Sequence, residues 1–294
     1  MINRSQLSAL SRLFSSTVFR EMAAKGKSRT FSRLISELSS TGIFKPVARV
    51  KDAFEAAYRV LQTSGCRDEY IYKTALTHKV LLGKHSLNTA SMMSEFRVGE
   101  CKADLVILNG TATVYEIKSE RDSLTRLARQ IDAYKKVFAK VVVIAGEAHA
   151  EEVLNSTTSD VGVLVLSKRY RISTLREASD LPERISPLSV LESIRTNEAV
   201  NILTRLGIEA PQVPNTLLRA ELRKRFEHLD PKAVHFEMVR LLKRTRDLAP
   251  LSELLTNLPP SLQAAALTLQ INRASEQRLI GAVNTRFREA ILWS

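Results

Sequence analysis

Residues 102–137, KADLVILNGTATVYEIKSERDSLTRLARQIDAYKKV, decide the fold. Leu105, Val106, Ile107 and Leu108 form a short apolar run, and Thr111 to Ile117 is rich in β-branched residues, so two strands are predicted. Asn109-Gly110 between them is a hairpin signal. Period-two alternation places Val114, Glu116 and Lys118 on one face of the second strand, with Thr113, Tyr115 and Ile117 on the other. Asp104 opens the neighbouring antiparallel strand, where its carboxylate lies within reach of Glu116, although composition does not fix the register. A helix follows on which Arg126, Gln130 and Tyr134 recur at i, i+4 and i+8 and share a face, while Leu124, Leu127, Ile131 and Phe138 cover the adjoining apolar face. Asp122 is placed to cap that helix.

Two carboxylates beside an amine suit phosphodiester hydrolysis. A hard cation held by oxygen ligands polarises a phosphoryl oxygen and lowers the pKa of a bound water, and a lysine supplies a point charge for the attacking water or the transition state. Asp104, eleven intervening positions and then Glu116-Ile117-Lys118 resemble the signature of the PD-(D/E)XK nuclease superfamily. Gln130 and Tyr134 resemble the glutamine-tyrosine helix motif of its exonuclease-like members. Within it, the chain looks most like a bacterial group of nuclease-like proteins over residues 92–170.

The resemblance implies a restriction-endonuclease-like α/β core with a mixed central sheet. It implies Mg²⁺ or Mn²⁺ held by Asp104, Glu116 and Ile117, whose donor is its main chain, with Lys118, Gln130 and Tyr134 in the catalytic site. Two departures stand out. Ala103 occupies the position of the nominal proline, and the further acid that many members carry is not fixed by spacing. Glu95, in the apolar stretch MMSEFRV, is the preferred candidate and Glu69 the alternative. Each residue also has a plainer reading: Glu116 and Lys118 as a solvated pair on an edge strand, and Gln130, Tyr134 and Arg126 as helix-surface residues. Their coincidence favours the site.

The 294 residues carry 44 Lys plus Arg against 31 Asp plus Glu, a formal charge of +13. Such a surface attracts phosphate backbones through counterion release. DNA is therefore the expected partner, with RNA also permitted by the fold. Residues 1–51 hold one basic concentration and residues 219–246 another, and Arg126, Arg223 and Lys224 are candidate nucleic-acid contacts. A homodimer or a regulatory protein partner is compatible with the resemblance but has no signature in the chain. The stretch Asn215 to Arg246 has the outline of a helix-turn-helix, although such helix pairs are mostly packing units. The first 24 residues, rich in Arg and Ser, match a mitochondrial transit peptide in composition or a pair of amphipathic helices with Leu7, Leu10, Phe14 and Val18 on one face.

No apolar run approaches the roughly 20 residues that span a bilayer. Cys66 and Cys101 lack CxxC spacing, so neither a disulfide framework nor a zinc cage is indicated and a cytoplasmic setting is expected. Three segments are expected: a basic helical stretch over 1–50, the nuclease-like core with its preceding helices over 51–180, and a helical bundle over 181–294. Within them, helices are expected at Val47 to Leu61 and Glu69 to Leu82, and further strands at Lys140 to Ala145, Val161 to Leu166 and Lys168 to Leu175. The function implied is a metal-dependent deoxyribonuclease of anti-phage defence or DNA repair. The rival is a non-catalytic or partner-gated nucleic-acid-binding protein that keeps the nuclease fold.

Overall fold

The computed structural model describes residues 2–45, 47–63, 65, 67–269 and 271–294. The chain groups into two compact units rather than three consecutive segments: residues 1–83, 119–121 and 249–294 form the first, and residues 84–118 and 122–248 the second.

The first unit is helical. Its helices are α1 (Arg4–Leu13), α2 (Ser16–Lys25), α3 (Arg29–Glu37), α4 (Val50–Gln62) and α5 (Glu69–Leu76), which runs on through a π turn (Thr77–Leu81) into α6 (Leu82–Lys84) at the edge of the unit. The helix expected from Val47 starts at Val50, and the one expected from Glu69 is interrupted by that π turn. The basic N-terminal segment is built into the core: Leu10, Leu13, Phe14, Val18 and Phe19 are buried, and Phe14 stacks on Tyr70 with centroids 4.6 Å apart. The last helices, numbered after those of the second unit, return to the same core. The Val50 N–H donates to the Thr285 carbonyl at 3.1 Å and the Phe287 N–H to the Ala48 carbonyl at 2.8 Å, while Trp293 packs on Phe31 at 5.7 Å. The expected C-terminal bundle is thus divided, because residues 249–294 complete the apolar surface of the N-terminal helices.

The second unit is built on one mixed sheet in the order β1 (Ser91–Val98), β2 (Cys101–Leu108), β3 (Ala112–Lys118), β4 (Lys140–Gly146), β5 (Gly162–Leu166) and β6 (Ile172–Arg176). Strands β1 to β3 are antiparallel, β3 to β5 are parallel, and β6 closes antiparallel to β5. The turn signal Asn109-Gly110 is part of a loop that runs from Asn109 to Thr111 because Leu108 pairs with Ala112, and Gly110 takes a φ of 101° that other residues rarely adopt. Gly162 has a different reason: a Cβ there would lie 2.9 Å from Ala178 Cβ. The crossover between β3 and β4 carries α7 (Leu127–Lys135), and α8 (Ala150–Ser156) joins β4 to β5. Val106, Val114, Val141 and Val143 on one sheet face pack with Leu127, Ile131 and Phe138 of the crossover, and Leu124 is half-buried against them. The same apolar cluster takes in α9 (Pro187–Ser193), α10 (Thr196–Arg205), α11 (Asn215–Phe226) and α12 (Pro231–Thr245) through Leu191, Ile202, Phe226 and Met238. The first unit then ends with α13 (Ser252–Asn257), α14 (Pro260–Ala266), α15 (Arg273–Asn284) and α16 (Phe287–Ala290).

Among the described residues, no helix is long and apolar enough to cross a membrane. Cys101 is a free, buried thiol, and Cys66 lies outside the described residues.

Candidate functional site: a polar network under the sheet

The β2–β3 ladder ends with Leu105 opposite Tyr115, so Asp104 and Glu116 face each other one step beyond the last pair. Beyond the last β2–β3 pair, the Ile117 N–H donates to Asp104 Oδ2 at 2.7 Å. Alternation then sends Glu116 and Lys118 to the α7 side of the sheet, where they are 2% and 4% exposed. Burial at this level demands partners for every polar atom. Lys118 Nζ donates to Glu116 Oε1 at 2.9 Å and to Gln130 Oε1 at 3.0 Å. Tyr134 Oη donates to Glu116 Oε2 at 2.8 Å and also lies 3.0 Å from the Lys102 carbonyl. Burial pushes the Tyr134 phenol well above its ordinary range, and the carboxylates of Glu116 and Asp104 push it further, so it stays a donor. The structure thus brings Asp104, Glu116, Lys118, Gln130 and Tyr134 together, with the glutamine and the tyrosine one helical turn apart on α7.

Glu95 joins them from β1. The β1–β2 ladder pairs Ser94 with Leu105 and Phe96 with Ala103, leaving out Glu95 and Asp104 between them. Glu95 has a φ of 59°, an uncommon conformation for a residue with a Cβ, which breaks the strand's alternation. A carboxylate oxygen of Glu95 lies within 4.8 Å of one from Asp104, and Lys102 forms an ion pair with Glu95. Sequence pattern alone gave no sign of this backbone irregularity. Glu69, the alternative acid, heads α5 in the first unit and pairs with Lys73 at 2.5 Å.

The other candidates lie elsewhere. Arg126 is exposed and is itself the N-cap of α7, which begins at Leu127; Asp122 is therefore four residues too early to cap it. The intervening residues 119–126 form a turn-rich connection. Arg223 pairs with Glu192 at 2.5 Å and Lys224 with Glu221 at 2.7 Å on an exposed face of α11. Asp230 caps α12 by accepting the Ala233 N–H at 2.8 Å, and the α11–α12 pair packs into the common core through Phe226 and Val234. His149 stands at the N-terminal end of α8, half-buried.

The fold and this network define a mixed α/β protein with a six-stranded sheet and a buried carboxylate–amine–amide–phenol cluster at the point where antiparallel pairing gives way to parallel. Residues 62–247 match the family model described as bacteriophage P4 protein cII, and the chain belongs to that family. It is 31% identical over 135 residues to protein cII of Enterobacteria phage P4, an alignment covering 44% of this chain and 50% of the relative, so the chain spans about half the length of that relative. A solved structure of a protein of unknown function from Silicibacter pomeroyi aligns with 40% of this chain and 80% of its own at 17% identity, with a TM-score of 0.28.

Proposed function

We propose that the chain is a metal-dependent nuclease of the PD-(D/E)XK type, acting on DNA. The observation that carries the reading is the convergence of Asp104, Glu116, Lys118, Gln130 and Tyr134 on one network, with Glu116 and Lys118 both held out of water. The donor set fits a hard divalent cation. Asp104 and Glu95 bring carboxylate oxygens within 4.8 Å of one another, with Lys102 on Glu95 offsetting part of their charge, and Glu116 and the Ile117 main chain stand beside Asp104. These residues would hold Mg²⁺ or Mn²⁺, which when bound supplies Lewis acidity and a more acidic water.

The chain's own residues have distinct tasks in this reading. Gln130 and Glu116 fix the Lys118 ammonium so that its positive charge faces the phosphate as negative charge develops there. Tyr134 holds the second oxygen of Glu116 and sets the carboxylate's rotamer. Lys102, tied to Glu95, is a further cation beside the site. The formal charge of +13 supplies the long-range attraction to a polyanion. Genome defence or DNA repair is the setting we assign, by analogy with the superfamily, and a relative borne by a phage is in keeping with it.

A second reading has its own observation. Both oxygens of Glu116 are already hydrogen-bonded inside the protein, which suits a closed network in a binding protein or a nuclease opened by a partner. Incubation of the purified chain with supercoiled plasmid, linear duplex, single-stranded DNA and RNA in Mg²⁺, Mn²⁺ or EDTA separates the two. Metal-dependent cutting that Lys118→Met loses supports the nuclease. Salt-sensitive binding without cutting under every condition supports the second reading.

A further inference from the structure

At the opposite end of β2 and β3, the second unit holds a cavity of about 640 Å³ between the hairpin loop at Gly110, the turn at Leu87 and Asn88, and α12. Gly110 and Glu116 are six residues apart in the chain, which at about 3.4 Å per residue sets the cavity roughly 20 Å from the polar network. Its volume falls within the ~300–1,000 Å³ usual for small-molecule sites.

The α12 wall is chemically two-sided. Phe236, Arg240, Lys243 and Arg244 recur at i, i+4, i+7 and i+8 and so share one helix face. Phe236 is 51% exposed, one of few large apolar side chains left open to solvent among the described residues. Arg240 pairs with Glu237 at 3.0 Å, whereas Lys243 and Arg244 have no ion-pair partner among the described residues. Asp247 is the only acid among the described residues of the lining, so the mouth is net positive. Lys243 and Arg244 also complement the negative end of the helix dipole, but that explains neither the open aromatic face nor the cavity. An inorganic anion would use the cations and leave Phe236 idle; an apolar ligand would do the reverse.

We propose that this cavity binds a nucleotide, with the base against Phe236 and Leu87 and the phosphates on Lys243 and Arg244. An aromatic face beside paired cations is the combination that nucleobases and phosphates require together. The site is independent of the nuclease reading, because none of its residues belongs to the polar network.

Calorimetric titration of the full chain in EDTA tests it, using AMP, ADP, ATP, adenosine, pyrophosphate and a short oligothymidine as separate probes. Saturable binding of one nucleotide per chain is expected, with pyrophosphate and adenosine each much weaker. Phe236→Ala should weaken binding about tenfold, the loss of one stacked base, and Lys243→Glu with Arg244→Glu should abolish it. Both variants should stay folded with only a small drop in thermal midpoint, since Phe236 is half-exposed and the charge reversal forfeits only the favourable helix-dipole contact, and Lys118→Met should bind the nucleotide as the parent does. Pyrophosphate binding as tight as ATP would reduce the site to an anion patch and overturn the proposal. Oligothymidine binding lost in these variants, with no mononucleotide bound, would overturn it in favour of a strand interface, and the absence of all binding would overturn it outright.

Discussion

Lys118→Met separates what the buried network does for folding from what the proposed nuclease reaction would ask of it. The substitution keeps an unbranched side chain one atom shorter and removes its charge, leaving the Glu116 carboxylate 2% exposed with the Tyr134 hydroxyl as its remaining donor at 2.8 Å. Breaking a buried ion pair by removing one partner costs about 3–5 kcal/mol, because the other charge stays desolvated. Tyr134 retains one charge-assisted bond, worth ~1.5–3 kcal/mol, so the lower end, about 3 kcal/mol, is expected. Adding Glu116→Gln removes the stranded charge while leaving the tyrosine an acceptor, and should recover most of that loss, since neutral replacement of a buried pair is often near-neutral in stability. Urea denaturation of parent, single and double variants, monitored by circular dichroism, measures both steps, and the cleavage assay is run on the same samples. The double variant should be folded, bind DNA with the parent's salt dependence and cut nothing. A double variant no more stable than Lys118→Met would refute the stranded-charge argument, and one that still cuts would remove both residues from the mechanism.

Three further outcomes test the packing. Asp160 is partly buried, which raises its carboxyl pKa, but hydrogen bonds from Thr158 and Lys135 and the charges of Lys135 and Arg184 outweigh that and hold it at about 2 against an ordinary 3.8. Its contribution of about 2 kcal/mol is present above pH ~4 and lost as pH falls through 2; Asp160→Asn should flatten the acid limb of a midpoint-versus-pH curve, and an unchanged limb would reject the assignment. His235 is fully buried, and desolvation lowers it to about 4 despite the opposing pull of Asp180. Its Nε2 lies 3.2 Å from Thr111 Oγ1, whose hydroxyl donates to Asp180 at 3.0 Å, and its Nδ1 has no hydrogen-bond partner among the described residues. The folded chain refuses a proton that the unfolded chain accepts, so stability should fall by about 3 kcal/mol as pH drops from 6.5 to 4, and His235→Gln should remove that slope. Phe14 is buried against Phe54, Tyr58 and Tyr70, so Phe14→Ala should cost about 3–5 kcal/mol; a loss under 1 kcal/mol would show that the N-terminal helices are not part of the cooperative core.

What the sequence disclosed follows from the range of the interactions involved. The β2–β3 hairpin is specified locally: β-branched residues, period-two alternation and Asn109-Gly110 fix which of Glu116 and Ile117 faces α7, and the 3.6-residue period puts Gln130 and Tyr134 on the face that meets Lys118 and Glu116. Features set by distant partners were hidden. Asp122 has the chemistry of a helix cap, yet α7 starts at Leu127, because the start is decided by where Leu127 and Ile131 meet the sheet. The positive φ of Glu95 is imposed by the β1–β2 register, which skips that residue and Asp104 together. The grouping of residues 249–294 with the N-terminal helices is equally invisible to local pattern, since helical periodicity says that a face is apolar but not which face covers it. The same logic bears on the candidate site. Its acids and lysine were legible because a strand pair holds them, and helical period and resemblance singled out Tyr134, whereas its burial on Glu116 and on the Lys102 carbonyl is set by the fold. That second contact ties α7 to the strand bearing Asp104, so the tyrosine couples the position of the helix to both carboxylates, and Tyr134→Phe should loosen the network without removing any charge from it.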